Sequence, residues 1–229
     1  MIDNAFRSIL PRFVGPLLSL YRRLGWTPNH VTVLGFALAL VACAAVVTHY
    51  WWAALVLWWI SRLADGTDGV YAREFGQESG FGAYLDIVLD MAAYGAMVVA
   101  FAVASPQWQA QWMAMLFLYI VCITSALALG AQEAERAIEP RDNRGLRLGA
   151  GLAEGGETGI AYSLFLLCPA YLEILTSAWV AILATTVLAR SALAYQILRR
   201  GPHGSRTEQA SENSSDGSGT THLEESSEV

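Results

Sequence analysis

Residues 65–90 read DGTDGVYAREFGQESGFGAYLDIVLD, and they lie where one pair of hydrophobic segments ends and the next begins. Carboxylates at a membrane boundary are costly to keep without a function. Asp65 and Asp68 stand three apart and Asp86 and Asp90 four apart, so on helices each pair shares one face. Two such faces brought together form an acidic cage of oxygen ligands only. That donor set suits a hard divalent cation, Mg2+ or Mn2+.

The rest of the chain supplies the membrane. Of its 229 residues 55% are apolar and 15% charged, the mean hydropathy is +0.39, and the eight tryptophans concentrate in hydrophobic runs. This composition excludes an ordinary soluble domain and indicates an all-α integral membrane protein. The net charge of -6 comes largely from the central stretch and the C-terminal tail, and nothing in it points to a nucleic-acid partner. Cys43, Cys122 and Cys168 each fall in apolar segments without a close pair, so they read as small hydrophobes.

Residues 1–28 lack the clean apolar core of a cleavable signal. Their closely recurring apolar positions from Phe6 to Leu20, with Arg7, Arg12, Arg22 and Arg23, predict an amphipathic interfacial helix interrupted near Gly15-Pro16. A membrane domain follows over residues 29–200. Six spans are expected, near 31–49, 51–63, 84–104, 111–131, 156–172 and 174–198, with Asn29 or Thr32 capping the first. The second helix continues past its apolar zone and carries Asp65 and Asp68 to the water boundary.

The chain contains no lysine, and on this map all 14 arginines lie on the side shared by both termini or in the helix ends facing it. That bias places both termini, the aspartate stretch and the polar link 132–153 in the cytoplasm. Residues 201–229 are rich in Ser, Gly, Thr and Glu and read as a disordered acidic tail.

Written with its spacings, the central stretch is Asp65-x2-Asp68-Gly69-x2-Ala72-Arg73-x8-Gly82-x3-Asp86-x3-Asp90. It closely resembles the signature of the CDP-alcohol phosphotransferase family, whose six-helix layout covers roughly residues 28–200. The resemblance implies a donor such as CDP-diacylglycerol, a hydroxyl acceptor, membrane lipids as surroundings and a bacterial inner membrane location with a cytoplasmic active site. It also implies two divalent ions, Mg2+ or Mn2+, with Asp65, Asp68, Asp86 and Asp90 as ligands and Asp90 as general base. Gly69 and Ala72 would lie beside the cytidine, Arg73 on nucleotide phosphate, and Gly82 at a close helix contact or in the nucleotide pocket. Dimers are common among similar proteins, although no interface is visible in this sequence.

The chemistry has a physical rationale of its own. Moving a substituted phosphoryl group between oxygens requires phosphate charge to be neutralised and a hydroxyl to be activated. Four carboxylates cannot receive phosphates without a cation between them, so metal dependence follows from charge alone.

A less specific polar group consists of Arg141, Arg144, Arg147, Glu154, Glu157 and Arg190, candidates for the acceptor site. Arginine forks would suit an acceptor carrying its own phosphate, and the glutamates a cationic or neutral alcohol. Transfer from a soluble CDP-alcohol to diacylglycerol is the alternative within the class. A divalent-cation transporter is the alternative outside it, although no second ionisable cluster continues across the membrane.

Overall fold

The computed structural model describes residues 14–135 and 155–199. The described residues form α1 (Gly15–Arg23), α2 (Pro28–Val47), α3 (Trp51–Glu74), α4 (Gly80–Ala104), α5 (Gln109–Glu135), α6 (Gly155–Leu167) and α7 (Leu172–Arg199). Short 3-10 turns at Pro106–Trp108 and Pro169–Tyr171 lead into α5 and α7. Residues 1–13, the link that carries Arg141, Arg144, Arg147 and Glu154, and the tail from 200 onward lie outside the described residues.

Four segments are long and apolar enough to cross a membrane: Pro28–Val47, Gly80–Ala104, Pro106–Gln132 and Pro169–Gln196. At 1.5 Å per residue the 20 residues of α2 reach about 30 Å, the thickness of the hydrocarbon core. The other two expected spans differ for separate reasons. In α3 the apolar stretch gives way to Arg62, Asp65, Asp68 and Arg73, and α6 has only 13 described residues, about 20 Å.

The first long helix begins earlier than the sequence suggested. Pro28 takes the first helical position, where a missing N–H costs nothing. The cap is Thr27, whose backbone N–H donates to His30 Nδ1 at 3.1 Å. Neither Asn29 nor Thr32 caps the helix; both lie inside it. The α2–α3 turn is as short as expected, with His49 at a positive φ of 60° and its ring edge-on to Trp51.

α2 packs along both α3 and α4, whose backbones stay apart and meet through side chains, while α5 pairs with α7 and α6 lies against α3 and α7. The closest approach of α2 to α3 is at Gly35, where an added Cβ would stand 3.3 Å from the Ser61 carbonyl oxygen. The main core is aromatic: Trp58, Tyr94, Phe101, Trp112, Tyr162 and Phe165 meet ring to ring, with centroids 5.3 Å apart for Trp58–Tyr162 and 5.4 Å for Phe101–Trp112. Large apolar side chains instead face outward along the helices, among them Phe117, Ile120, Ile174 and Leu188. A lipid-facing surface has this inside-out character.

A second, smaller core joins α1 to the polar end of α3. Val14, Leu18 and Tyr21 pack with Val31, Ala64, Val70 and Tyr71, and the Tyr21 hydroxyl lies 3.2 Å from Thr67 Oγ1. The buried face of α1 therefore rests on protein beside the aspartate stretch. Cys43 and Cys122 are buried, Cys168 is exposed, and all three are free thiols.

Candidate active site

The backbones of α3 and α4 both lean on α2 rather than on each other, and the space between their polar ends is the candidate site, a cleft spanned by side chains. Asp65 and Asp68 belong to its α3 wall and Asp86 and Asp90 to its α4 wall. The spacing places each pair one turn apart on its helix. Asp68 is the least solvent-exposed, at 4%; it accepts hydrogen bonds from the Thr32 hydroxyl on α2 and from the Gly69 backbone N–H. Thr32 Oγ1 also lies 3.1 Å from the Pro28 carbonyl oxygen, so its position is fixed by the helix that carries it.

Asp65 and Asp90 share a cation. The Arg62 guanidinium donates from Nη1 to Asp90 Oδ1, and the same nitrogen lies 3.5 Å from Asp65 Oδ2. Its Nη2 reaches Ser61 Oγ at 3.2 Å, and Ser61 in turn donates to the Gly35 carbonyl at 2.7 Å. The guanidinium carbon sits 4.7 Å from the Trp58 ring centroid and 5.1 Å from that of Tyr94. The Tyr94 hydroxyl then donates to the Gly155 carbonyl at 3.2 Å, which ties the start of α6 to the floor of the site.

The carboxylates feel one another. Burial, followed by the charge of Asp86, pushes Asp68 up to about 7 despite the opposing hydrogen bonds from Thr32 and Gly69. Burial, then Asp90, raises Asp65 well above the usual carboxylate range, and Arg62 only partly offsets this. Both lie past the apolar stretch of α3. A cluster that favours protonation at neutral pH is short of positive charge, and a divalent ion would supply it. As the side chains stand, no three His, Cys, Asp or Glu among the described residues converge on one point to hold a metal ion. Asp90 is turned toward Arg62 instead.

The other sequence candidates divide. Arg73 is exposed, and its Nη1 lies 3.3 Å from where a Cβ on Gly69 would stand, so the guanidinium covers the bare backbone at Gly69. Ala72 is half-buried on the same helix. At Gly82 an added Cβ would meet Ser79 Oγ at 2.9 Å and Asn29 Oδ1 at 3.0 Å, so the N-terminal ends of α2 and α4 approach closely there.

Glu157 sits in the first turn of α6. Arg190 is 4% exposed and donates from Nη1 to the Cys122 carbonyl at 2.7 Å; it points into the helix bundle, and this bond goes to α5 rather than to any of the four aspartates. Sequence reasoning missed Arg62, Thr32 and Tyr94. Arg62 carried one legible signal, its place three residues before Asp65, one turn back on the same helical face.

The fold and site together define a helical protein with four long apolar helices and an acidic cluster, bridged by Arg62, at the polar end of α3 and α4. The chain belongs to the CDP-alcohol phosphatidyltransferase family, whose model matches residues 25–188. It is therefore a phosphotransferase of phospholipid biosynthesis. Over 178 residues it is 35% identical to Inner membrane protein YnjF of Escherichia coli, covering 72% of this chain and 82% of that one.

It is 34% identical over 93 residues to the phosphatidylinositol phosphate synthase of Mycobacteroides abscessus, covering 40% of this chain and 42% of that enzyme. Among solved structures it resembles the Mycobacterium tuberculosis phosphatidylinositol phosphate synthase with CDP-DAG bound. The TM-score is 0.59 at 22% identity, with 80% of this chain and 94% of that one covered. The same enzyme in complex with manganese and citrate matches with a TM-score of 0.56 at 21% identity, over 83% of this chain and 91% of that one. At these identities the structural likeness concerns the fold.

Proposed function

We propose that the protein transfers a phosphatidyl group from CDP-diacylglycerol to the hydroxyl of an alcohol and releases CMP. The observation that carries this reading is the cleft between α3 and α4, where Asp65 and Asp90 face a common cation and Asp68 and Asp86 raise the local demand for positive charge. By donor type and charge Asp65, Asp68, Asp86 and Asp90 fit two Mg2+ or Mn2+ ions. Such ions supply neutralisation of the donor diphosphate and of the departing phosphate.

The protein's own groups do the remainder. Thr32 and the Gly69 N–H hold the Asp68 carboxylate in place. Arg73 meets nucleotide phosphate above Gly69, and the small side chain of Ala72 leaves the pyrimidine room to lie flat. Gly82 lets α2 and α4 close to the width of a nucleotide pocket. Asp90, one turn deeper than Asp86, takes the proton from the acceptor hydroxyl, and direct displacement at phosphorus follows without a covalent enzyme intermediate. Glu157 and Arg190, with Arg141, Arg144, Arg147 and Glu154, form the acceptor side.

The membrane arrangement goes with the chemistry. The domain spans residues 29–200 and crosses a bacterial inner membrane six times, with the apolar half of α3 and a helix ending in α6 as the two spans beyond the four long ones. Both termini and the cleft face the cytoplasm, α1 lies at the interface, and residues 201–229 trail as a tail outside the domain. Cation transport is disfavoured, because Arg62 and Arg190 place positive charge inside the bundle, where it would oppose a passing cation.

The test is incubation of purified protein with radiolabelled CDP-diacylglycerol, Mg2+ or Mn2+ and a panel of serine, glycerol 3-phosphate, inositol, inositol phosphate and simple polyols. CMP and one labelled lipid whose mass names the acceptor are expected. Absence of CMP release across the panel, with no binding of the donor, would count against the reading.

A further inference from the structure

The residue that the signature does not account for is Arg62. A lone arginine at a membrane boundary ordinarily extends to the headgroups, but this side chain is 10% exposed and turned inward. Its guanidinium is seated between the Trp58 and Tyr94 rings, at 4.7 and 5.1 Å from their centroids. Its buried Nε has no hydrogen-bond partner among the described residues. An orphaned Nε is the cost of that seat, so packing and charge hold the group there rather than complete hydrogen bonding. One edge of the guanidinium meets Asp90 and approaches Asp65, and Ser61 steadies the other nitrogen. Since the backbones of α3 and α4 stay apart, this bridge, together with the Trp58–Tyr94 ring contact, links the two acidic walls.

We infer that Arg62 is the resident counter-cation of the cluster, and that Asp90 exchanges its hold on Arg62 for a divalent ion when the site is loaded. The inference rests on the proposed metal site and adds to it a residue that sets its affinity. The geometry gives two reasons. Asp90, as placed, is committed to the guanidinium, and as the side chains stand no three ligating groups among the described residues converge. The guanidinium is also held by the rings after Asp90 leaves it, so a fixed positive charge stays beside the incoming cation and weakens its binding.

In this arrangement Arg62 is a positioning residue. It keeps the two walls together while the site is empty, and its charge lets product and ions leave instead of trapping them in an over-acidic cleft.

The test is titration of the full-length protein in nanodiscs with Mn2+ alone, without nucleotide, following the free-ion signal by electron paramagnetic resonance. Arg62→Gln and Arg62→Met, two neutral variants whose stems fit the slot between the rings, should each bind Mn2+ at least about tenfold more tightly than wild type. The expected size follows from removing one unit charge a few ångströms from a divalent ion. Arg62→Lys, which keeps the charge, should stay within about threefold of wild type. In an Asp90→Asn background the same neutral substitutions should give a clearly smaller gain in Mn2+ affinity than in the wild-type background, because the exchange has lost its carboxylate and only the fixed-charge part remains.

Neutral variants that bind Mn2+ no more tightly than wild type would overturn the inference, as would an equal gain in both backgrounds. If neither wild type nor any variant binds Mn2+ at millimolar concentration, the metal site itself falls, and this inference with it.

Discussion

Thr32→Val tests the site through a residue that touches no substrate. Thr32 is 4% exposed on α2, and its hydroxyl donates to Asp68, whose other described donor is the Gly69 N–H. Valine has nearly the same shape, so the packing of α2 against α3 survives while the donor disappears. A hydrogen bond to a charged acceptor is worth about 1.5–3 kcal/mol, a factor of roughly 10 to 150 in affinity. Loss of a group that orients a metal ligand from behind commonly costs about 10–100-fold in metal affinity.

The Mn2+ concentration for half-maximal CMP release should therefore rise about 10–100-fold. The rate at saturating Mn2+ should stay within about threefold of wild type, because the hydroxyl acts on ligand placement rather than on the reacting atoms. Thr32→Ser keeps the donor and should behave as wild type. If Thr32→Val shows a wild-type Mn2+ dependence while remaining folded, Asp68 is not held for metal by Thr32, and the account of the α3 wall is wrong.

Other substitutions probe other parts of the argument. Asp90→Asn should retain donor binding and lose turnover by at least about a hundredfold, the usual scale of a general base; wild-type turnover would remove that assignment. Gly35→Val should lower the melting temperature through a loss of about 1–3 kcal/mol, since even a Cβ there stands 3.3 Å from a backbone carbonyl that cannot step aside. An unchanged melting curve in detergent would show that α2 and α3 can separate. Trp179→Phe removes the 2.8 Å hydrogen bond from Trp179 Nε1 to the Tyr119 hydroxyl between α7 and α5, and should cost about 1 kcal/mol of stability with catalysis intact. Chelation of divalent ions should abolish CMP release and re-addition of Mg2+ or Mn2+ should restore it, whereas activity that persists in chelator would contradict metal dependence.

Much of the site could be read from spacing because its acidic residues are local in sequence. Asp65 with Asp68 and Asp86 with Asp90 each share a helical face whatever the tertiary structure, so helix periodicity alone pairs them. The long apolar helices were equally legible, their length being set by the bilayer. The start of α2 was misread because Thr27 is an ordinary cap only when Pro28 is recognised as the first helical residue.

Arg62 was missed for a different reason. Its role depends on Trp58 one turn earlier and on Tyr94, 32 positions later on another helix, and no one-dimensional pattern joins an arginine to a ring across a cleft. Thr32 likewise acquires its meaning only from Asp68, 36 residues away. Arg190 was readable in part, because burial of an arginine in an apolar helix demands an inward partner, but that partner, the Cys122 carbonyl, is backbone and leaves no trace in side-chain identity.

The ring cluster of Trp58, Tyr94, Phe101, Trp112, Tyr162 and Phe165 beneath the cleft has a consequence for the cell that houses the protein. Rings in mutual contact put apolar bulk between the aspartates and the far ends of the helices, the packing that a one-sided polar pocket requires if proton and sodium gradients are not to drain through it.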